Sequence, residues 1–74
     1  MNIKNLEQML NKKYKFLVEI ESVMRTHYRF HIIYSDIIEV YVTYTESGMI
    51  SEEQNYFFIC NKIEKAIIDS LKRR

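Results

Sequence analysis

At 74 residues, with 28% charged residues and a formal net charge of +1, the chain reads as one small domain, residues 1–74, with no long-range field to attract or repel a polyanion. A chain this short buries only about 60% of its unfolded surface, which leaves little area for an enclosed active site. Its one cysteine, Cys60, excludes an intramolecular disulfide, and no apolar run approaches the roughly 18 residues that span a bilayer.

The first predicted element is a helix over residues 3–12. Asn2 is placed to cap it, Ile3, Leu6, Met9 and Leu10 form a narrow apolar stripe, and Lys12 and Lys13 close it where cations suit the helix dipole. This start has no signal-peptide core, so a cytoplasmic location is expected. Residues 14–45 then hold a period-two pattern: Tyr14, Phe16, Val18 and Ile20, then Tyr28, Phe30, Ile32 and Tyr34, then Ile38, Val40, Val42 and Tyr44. Alternation at this period places each set on one face of a sheet, and the pattern predicts strands over 14–24, 28–34 and 38–45. The turns around residues 25–27 and 35–37 lack glycine, so Asp36 is the expected left-handed residue of the second. Glu46–Ile50 is a loop holding the only glycine, Gly48. Ser51-Glu52-Glu53-Gln54 reads as a capping box opening a helix over 52–72, with Tyr56, Ile59, Cys60, Ile63, Ala66, Ile67 and Leu71 on its core stripe.

The expected fold is therefore α+β, in the order α-β-β-β-α, with a three-stranded antiparallel sheet in the order 1-2-3 and both helices on one face. Burying the apolar sets pairs positions summing to about 52 across the first two strands and about 72 across the second and third. The core rows become Ile20, Ile32, Val40 and Val18, Tyr34, Ile38. The opposite face is expected to be open, with rows Glu21, His31, Tyr41, then Val23, Arg29, Thr43, then Glu19, Ile33, Glu39. Leu17, Ile33 and Val23 add apolar surface beside these charges. From this face the expected partner-binding residues are Glu21, Arg29, His31, Ile33, Glu39, Tyr41 and Thr43. Cross-strand charged and aromatic pairs also stabilise a sheet by about 0.2 to 1 kcal/mol each, with no partner involved. The third strand is an edge with no lysine or proline and one charge, features that leave an edge open to a second copy of the chain or a partner's strand.

Catalytic constellations are thin. His27 and His31 share a strand parity, yet no third histidine and no cysteine completes a ligand set, so no metal or other cofactor is expected. Cys60 lies on a buried stripe, as a small core residue does. One glycine cannot build a phosphate-cradling loop, and the paired acids Glu52 and Glu53 suit a helix N-terminus. The chain is not expected to be an enzyme.

Ile, Lys, Asn, Tyr, Phe and Met dominate, whereas Gly and Ala occur once each and Pro never. These are residues of AT-rich codons, pointing to a low-GC bacterium or to a phage or mobile element within one. The element order resembles that of double-stranded-RNA-binding domains over the whole chain, which would imply nucleic acid as partner. Those domains carry a basic cluster at the start of their second helix, where this chain has Ser51-Glu52-Glu53-Gln54. The basic groups Lys12, Lys13, Lys15 and Lys72, Arg73, Arg74 remain as an electrostatic footprint. In size and topology the chain is also similar to small phage-encoded inhibitors, anti-CRISPR proteins among them, which would imply an anti-defence protein that occupies a host protein's surface or dimerises its target. The favoured expectation is a non-enzymatic protein-binding module of this inhibitory kind, with a homodimer through the third strand as one form. A nucleic-acid-binding domain is the alternative.

Overall fold

The computed structural model describes residues 2–73 and shows the elements α1 (Ile3–Lys13), β1 (Leu17–Ser22), β2 (His27–Ile33), β3 (Glu39–Thr45) and α2 (Glu52–Lys72). The strands form one antiparallel sheet in the order β1-β2-β3, and the fold is the expected α+β arrangement. Both helix starts follow from local chemistry. The Asn5 N–H donates to Asn2 Oδ1 at 3.0 Å. At α2 the Gln54 N–H donates to Ser51 Oγ at 3.1 Å, while Gln54 Oε1 accepts the Ser51 N–H at 3.3 Å, closing the capping box.

Even-numbered strand residues point at the helices and build the core. Phe30, Ile32, Leu10, Val18, Ile59 and Ile63 are almost fully enclosed, with Leu6, Tyr28, Val42, Tyr44, Cys60 and Ile67 around them. α1 packs against β1 and α2 against β3. A stripe on each helix thus meets one half of a narrow sheet, and two helices cover one face of three strands.

Several sequence expectations need correction, among them Met9 and Leu71, which were expected on the helices' apolar stripes and are exposed. The period-two pattern beginning at Tyr14 overstates the first strand, which starts at Leu17. The Tyr14 N–H still bonds the Leu10 carbonyl at 2.9 Å, and the Tyr14 ring stacks on Phe16 at 4.8 Å, so residues 14–16 carry the chain from helix to sheet. Across β1 and β2 the register is Leu17↔Ile33, Val18↔Ile32, Glu19↔His31, Ile20↔Phe30 and Glu21↔Arg29, two residues from that expected. A two-residue shift leaves every side chain on its own face, so the hydrophobic pattern cannot detect it; the turn decides. Here the Val23 and Met24 N–H groups both donate to the His27 carbonyl, at 3.0 and 3.3 Å, which centres the reversal on Arg25. Across β2 and β3 the expected register holds, from His27↔Thr45 to Ile33↔Glu39.

The core rows are consequently Val18, Ile32, Val40 and Ile20, Phe30, Val42, and Tyr34 is displaced to a position 39% exposed. Asp36 is not left-handed, since no described residue has positive φ. The connection instead spreads its reversal over Tyr34–Ile38. The N–H groups of Tyr34 and Ser35 donate to the Ile38 carbonyl, and Ile38 N–H donates to the Ser35 carbonyl.

Candidate functional site

The odd-numbered strand residues form the face that neither helix covers. The observed register sets its rows as Glu19, His31, Tyr41, then Glu21, Arg29, Thr43, then Leu17, Ile33, Glu39. All seven expected partner-binding residues, Glu21, Arg29, His31, Ile33, Glu39, Tyr41 and Thr43, lie on this face. Their neighbours differ from those expected: Glu21 stands beside Arg29, and Glu19 takes its place beside His31.

His31 is the centre of the face. Its Nε2 lies 2.5 Å from Glu39 Oε1 and its Nδ1 lies 3.5 Å from Glu19 Oε1. The ring also stacks on Tyr41, with centroids 4.5 Å apart and planes within 7°. The next row holds a direct ion pair, Arg29 Nη2 to Glu21 Oε2 at 2.7 Å. That hydrogen bond raises the already high guanidinium pKa further.

The two carboxylates on His31 sit against opposite ring nitrogens and so do not converge on one point. Among the described residues no group of three or more His, Cys, Asp or Glu side chains is arranged to hold a metal ion. A shallow depression of about 330 Å³, lined by Glu19, Glu21, Arg29, His31 and Tyr41, occupies the middle of the face. Tyr41 is 65% exposed and Leu17 49% exposed, so apolar surface borders the charges. Three carboxylates stand against one guanidinium and one imidazole, which makes the face acidic although the chain as a whole is balanced.

Sequence reasoning missed Glu19 as the neighbour of His31, and the only signal for it was the turn length. It also missed Asn55. This side chain is 1% exposed on α2, its Oδ1 accepting from the Tyr44 hydroxyl at 2.5 Å and the Ser47 N–H at 3.1 Å, its Nδ2 donating to the carbonyls of Ser47 and Ser51. Asn55 therefore holds the β3–α2 loop rather than a ligand. Glu52 and Glu53 are exposed in the first turn of α2, where their charge suits the dipole. Lys13 lies 5.6 Å from the centroid of the Tyr14 ring and 6.0 Å from that of Tyr56. No helix among the described residues is long and apolar enough to cross a membrane. Compared with protein-family models, curated proteins and solved structures, the chain matches none.

Proposed function

We propose that the chain is a non-enzymatic protein-binding module whose open sheet face docks on a basic surface of a partner protein. The observation that carries this reading is the uncovered row Glu19, His31, Tyr41, bordered by the Glu21–Arg29 pair and the apolar Leu17 and Ile33. An exposed tyrosine backed by a stacked ring is a rigid anchor of the kind that dominates interface energies. The carboxylates around it set the sign of the partner's surface and its orientation. The same acidity disfavours a nucleic-acid backbone at this face, and Glu52 and Glu53 do so at the start of α2. AT-rich residue usage supports placing the module among accessory proteins of phages or mobile elements, where surface occupation of a host protein would make it an inhibitor.

The test is the double variant His31→Ala, Tyr41→Ala, compared with wild type for capture of proteins from a low-GC bacterial lysate and then for affinity toward the purified partner. Both positions lie on the outer face, so the cost in stability is confined to the lost cross-strand contacts of His31 with Tyr41, Glu19 and Glu39, about 0.2 to 1 kcal/mol each, and the fold should be kept. The partner should be lost, or bound at least about thirtyfold more weakly, as for removal of one hot-spot side chain. Full retention of the partner rejects the face as the site. Tight binding to duplex nucleic acid that falls steeply between about 50 and 200 mM salt would favour the alternative.

A further inference from the structure

The two edges of the sheet are treated differently. In an antiparallel ladder alternate residues turn their N–H and C=O away from the neighbour. The Val23–His27 bond makes the odd residues of β1 face β2, so Val18 and Ile20 face outward at the β1 edge. The middle of that edge is covered by side chains of α1. Asn11 accepts the Val18 N–H at 2.9 Å and donates to the Val18 carbonyl at 2.8 Å, and the Glu7 carboxylate accepts the Ile20 N–H at 3.0 Å.

At the other edge, the Tyr34–Ile38 bond makes the even residues of β3 face β2, so Glu39, Tyr41 and Thr43 turn their backbone groups outward. Among the described residues one side chain bonds this edge: Lys62 Nζ donates to the Thr43 carbonyl at 2.9 Å, where the N–H of a further strand would sit. α2 runs antiparallel beside the edge, from Lys62 and Lys65 near Thr43 to Asp69 and Arg73 near Glu39, and leaves a groove between helix and strand. At the Thr43 end the groove opens onto an apolar hollow of about 450 Å³, with Tyr44, Ile50 and Phe58 in its wall and Lys62 and Lys65 at its rim.

We infer that the β3–α2 groove receives an extended acidic peptide segment of a partner protein, which adds to the sheet as a fourth strand and seats an apolar side chain in the hollow beside Lys62 and Lys65. Backbone pairing supplies affinity in this mode, and pockets for alternate side chains supply selectivity. Lys62 is the switch in the arrangement. In the free protein its ammonium occupies the Thr43 carbonyl; when a strand N–H takes that place, the ammonium is released to a carboxylate of the incoming peptide. A second copy fits less well, because pairing β3 with β3 sets the strands about 4.8 Å apart whereas the α2 helices packed on them need about 8 to 10 Å. This surface extends the protein-binding reading and does not depend on the outer face.

The experiment titrates isotope-labelled protein with the capped peptide Thr-Leu-Thr-Asp-Thr-Val-Thr and with the same peptide carrying lysine in place of aspartate. The amides of Tyr41 and Thr43 should shift and gain protection from hydrogen exchange. The aspartate peptide should bind about tenfold more tightly than the lysine peptide, a difference of about 1.4 kcal/mol. Lys62→Met should keep the fold and lose the preference, and Thr43→Pro should lose binding by removing an outward donor. His31→Ala should bind both peptides as wild type does, which separates this groove from the outer face. The inference is overturned if millimolar peptide leaves the Tyr41 and Thr43 amides unmoved, if both peptides bind equally, or if shifts confine themselves to the outer face. It is overturned equally if those amides become protected through self-association without peptide.

Discussion

Tyr28 shows how much one hydroxyl does at the scale of a residue. The residue is 4% exposed and its OH donates to Glu46 Oε1 at 2.7 Å, tying the start of β2 to the loop after β3. Burial, with the Glu46 hydrogen bond second, pushes the phenol up from 10.0 to about 12, while the same bond pulls Glu46 below its ordinary 4.5. The signs follow from linkage. A lowered carboxylate contributes stability that is present above 4.5 and lost as pH falls through the lower folded value. A raised phenol contributes stability that is present below 10.0 and lost as pH rises toward 12. Tyr28→Phe should cost about 1 kcal/mol at neutral pH. It should also flatten the fall in stability on the acid side and partly on the alkaline side, where Tyr14, Tyr44 and Tyr56 are raised too, chiefly by burial. Urea midpoints measured across pH check this, and a variant curve parallel to wild type throughout would reject the coupling.

Among the elements, β1 and β3 present the same backbone problem and meet it differently. α1 places Asn11 and Glu7 along β1, where they pair the outward Val18 N–H and carbonyl and the Ile20 N–H and so block the middle of that edge. Asn11→Ala leaves the Val18 N–H and carbonyl unpaired at a part-buried edge. It should cost about 1 to 3 kcal/mol and speed hydrogen exchange at Val18. An unchanged denaturation midpoint with unchanged Val18 exchange would mean that water replaces Asn11 without loss. Among the described residues α2 bonds the outward backbone of β3 through Lys62 alone, a flexible and solvated cation, and this is what leaves that edge available. Neither helix pattern in the sequence distinguishes the two cases, because Asn11 and Lys62 lie off the apolar stripes from which the helices are read.

For the molecule as a whole, a single apolar cluster between sheet and helices carries stability, and Ile63 lies within it at 0% exposure. Ile63→Ala should cost about 2 to 5 kcal/mol through lost burial and the cavity left behind. Against a total of about 5 kcal/mol for so short a chain, that is close to unfolding. Calorimetry of the variant tests it, and an unshifted melting temperature would show that α2 is not docked through this residue. Both helices are committed to this cluster on one side of the sheet. The other side must then face solvent or a partner, and its acidity is a property of the assembled rows that a net charge of +1 conceals.

Alternation through Val18, Ile32, Val40 and their neighbours was enough to determine three strands and the face each residue takes, because a one-residue slip would expose the core, whereas the β2–β3 register, although as expected, is fixed by the Tyr34–Ile38 turn. Asn2 and Ser51-Gln54 determined where the helices begin, because capping is local. All seven expected partner-binding residues were legible on one face for the same reason of parity. The pairing of His31 with Glu19 rather than Glu21 was not legible, since a shift of two preserves parity and only the Val23–His27 turn distinguishes the registers. Nor was the four-way bonding of Asn55, which depends on where Tyr44 and Ser47 arrive from β3. The covering of the middle of one edge by Asn11 and the light guarding of the other by Lys62 were likewise decided only in the folded chain, because each joins a helix side chain to a strand backbone that local sequence does not bring together.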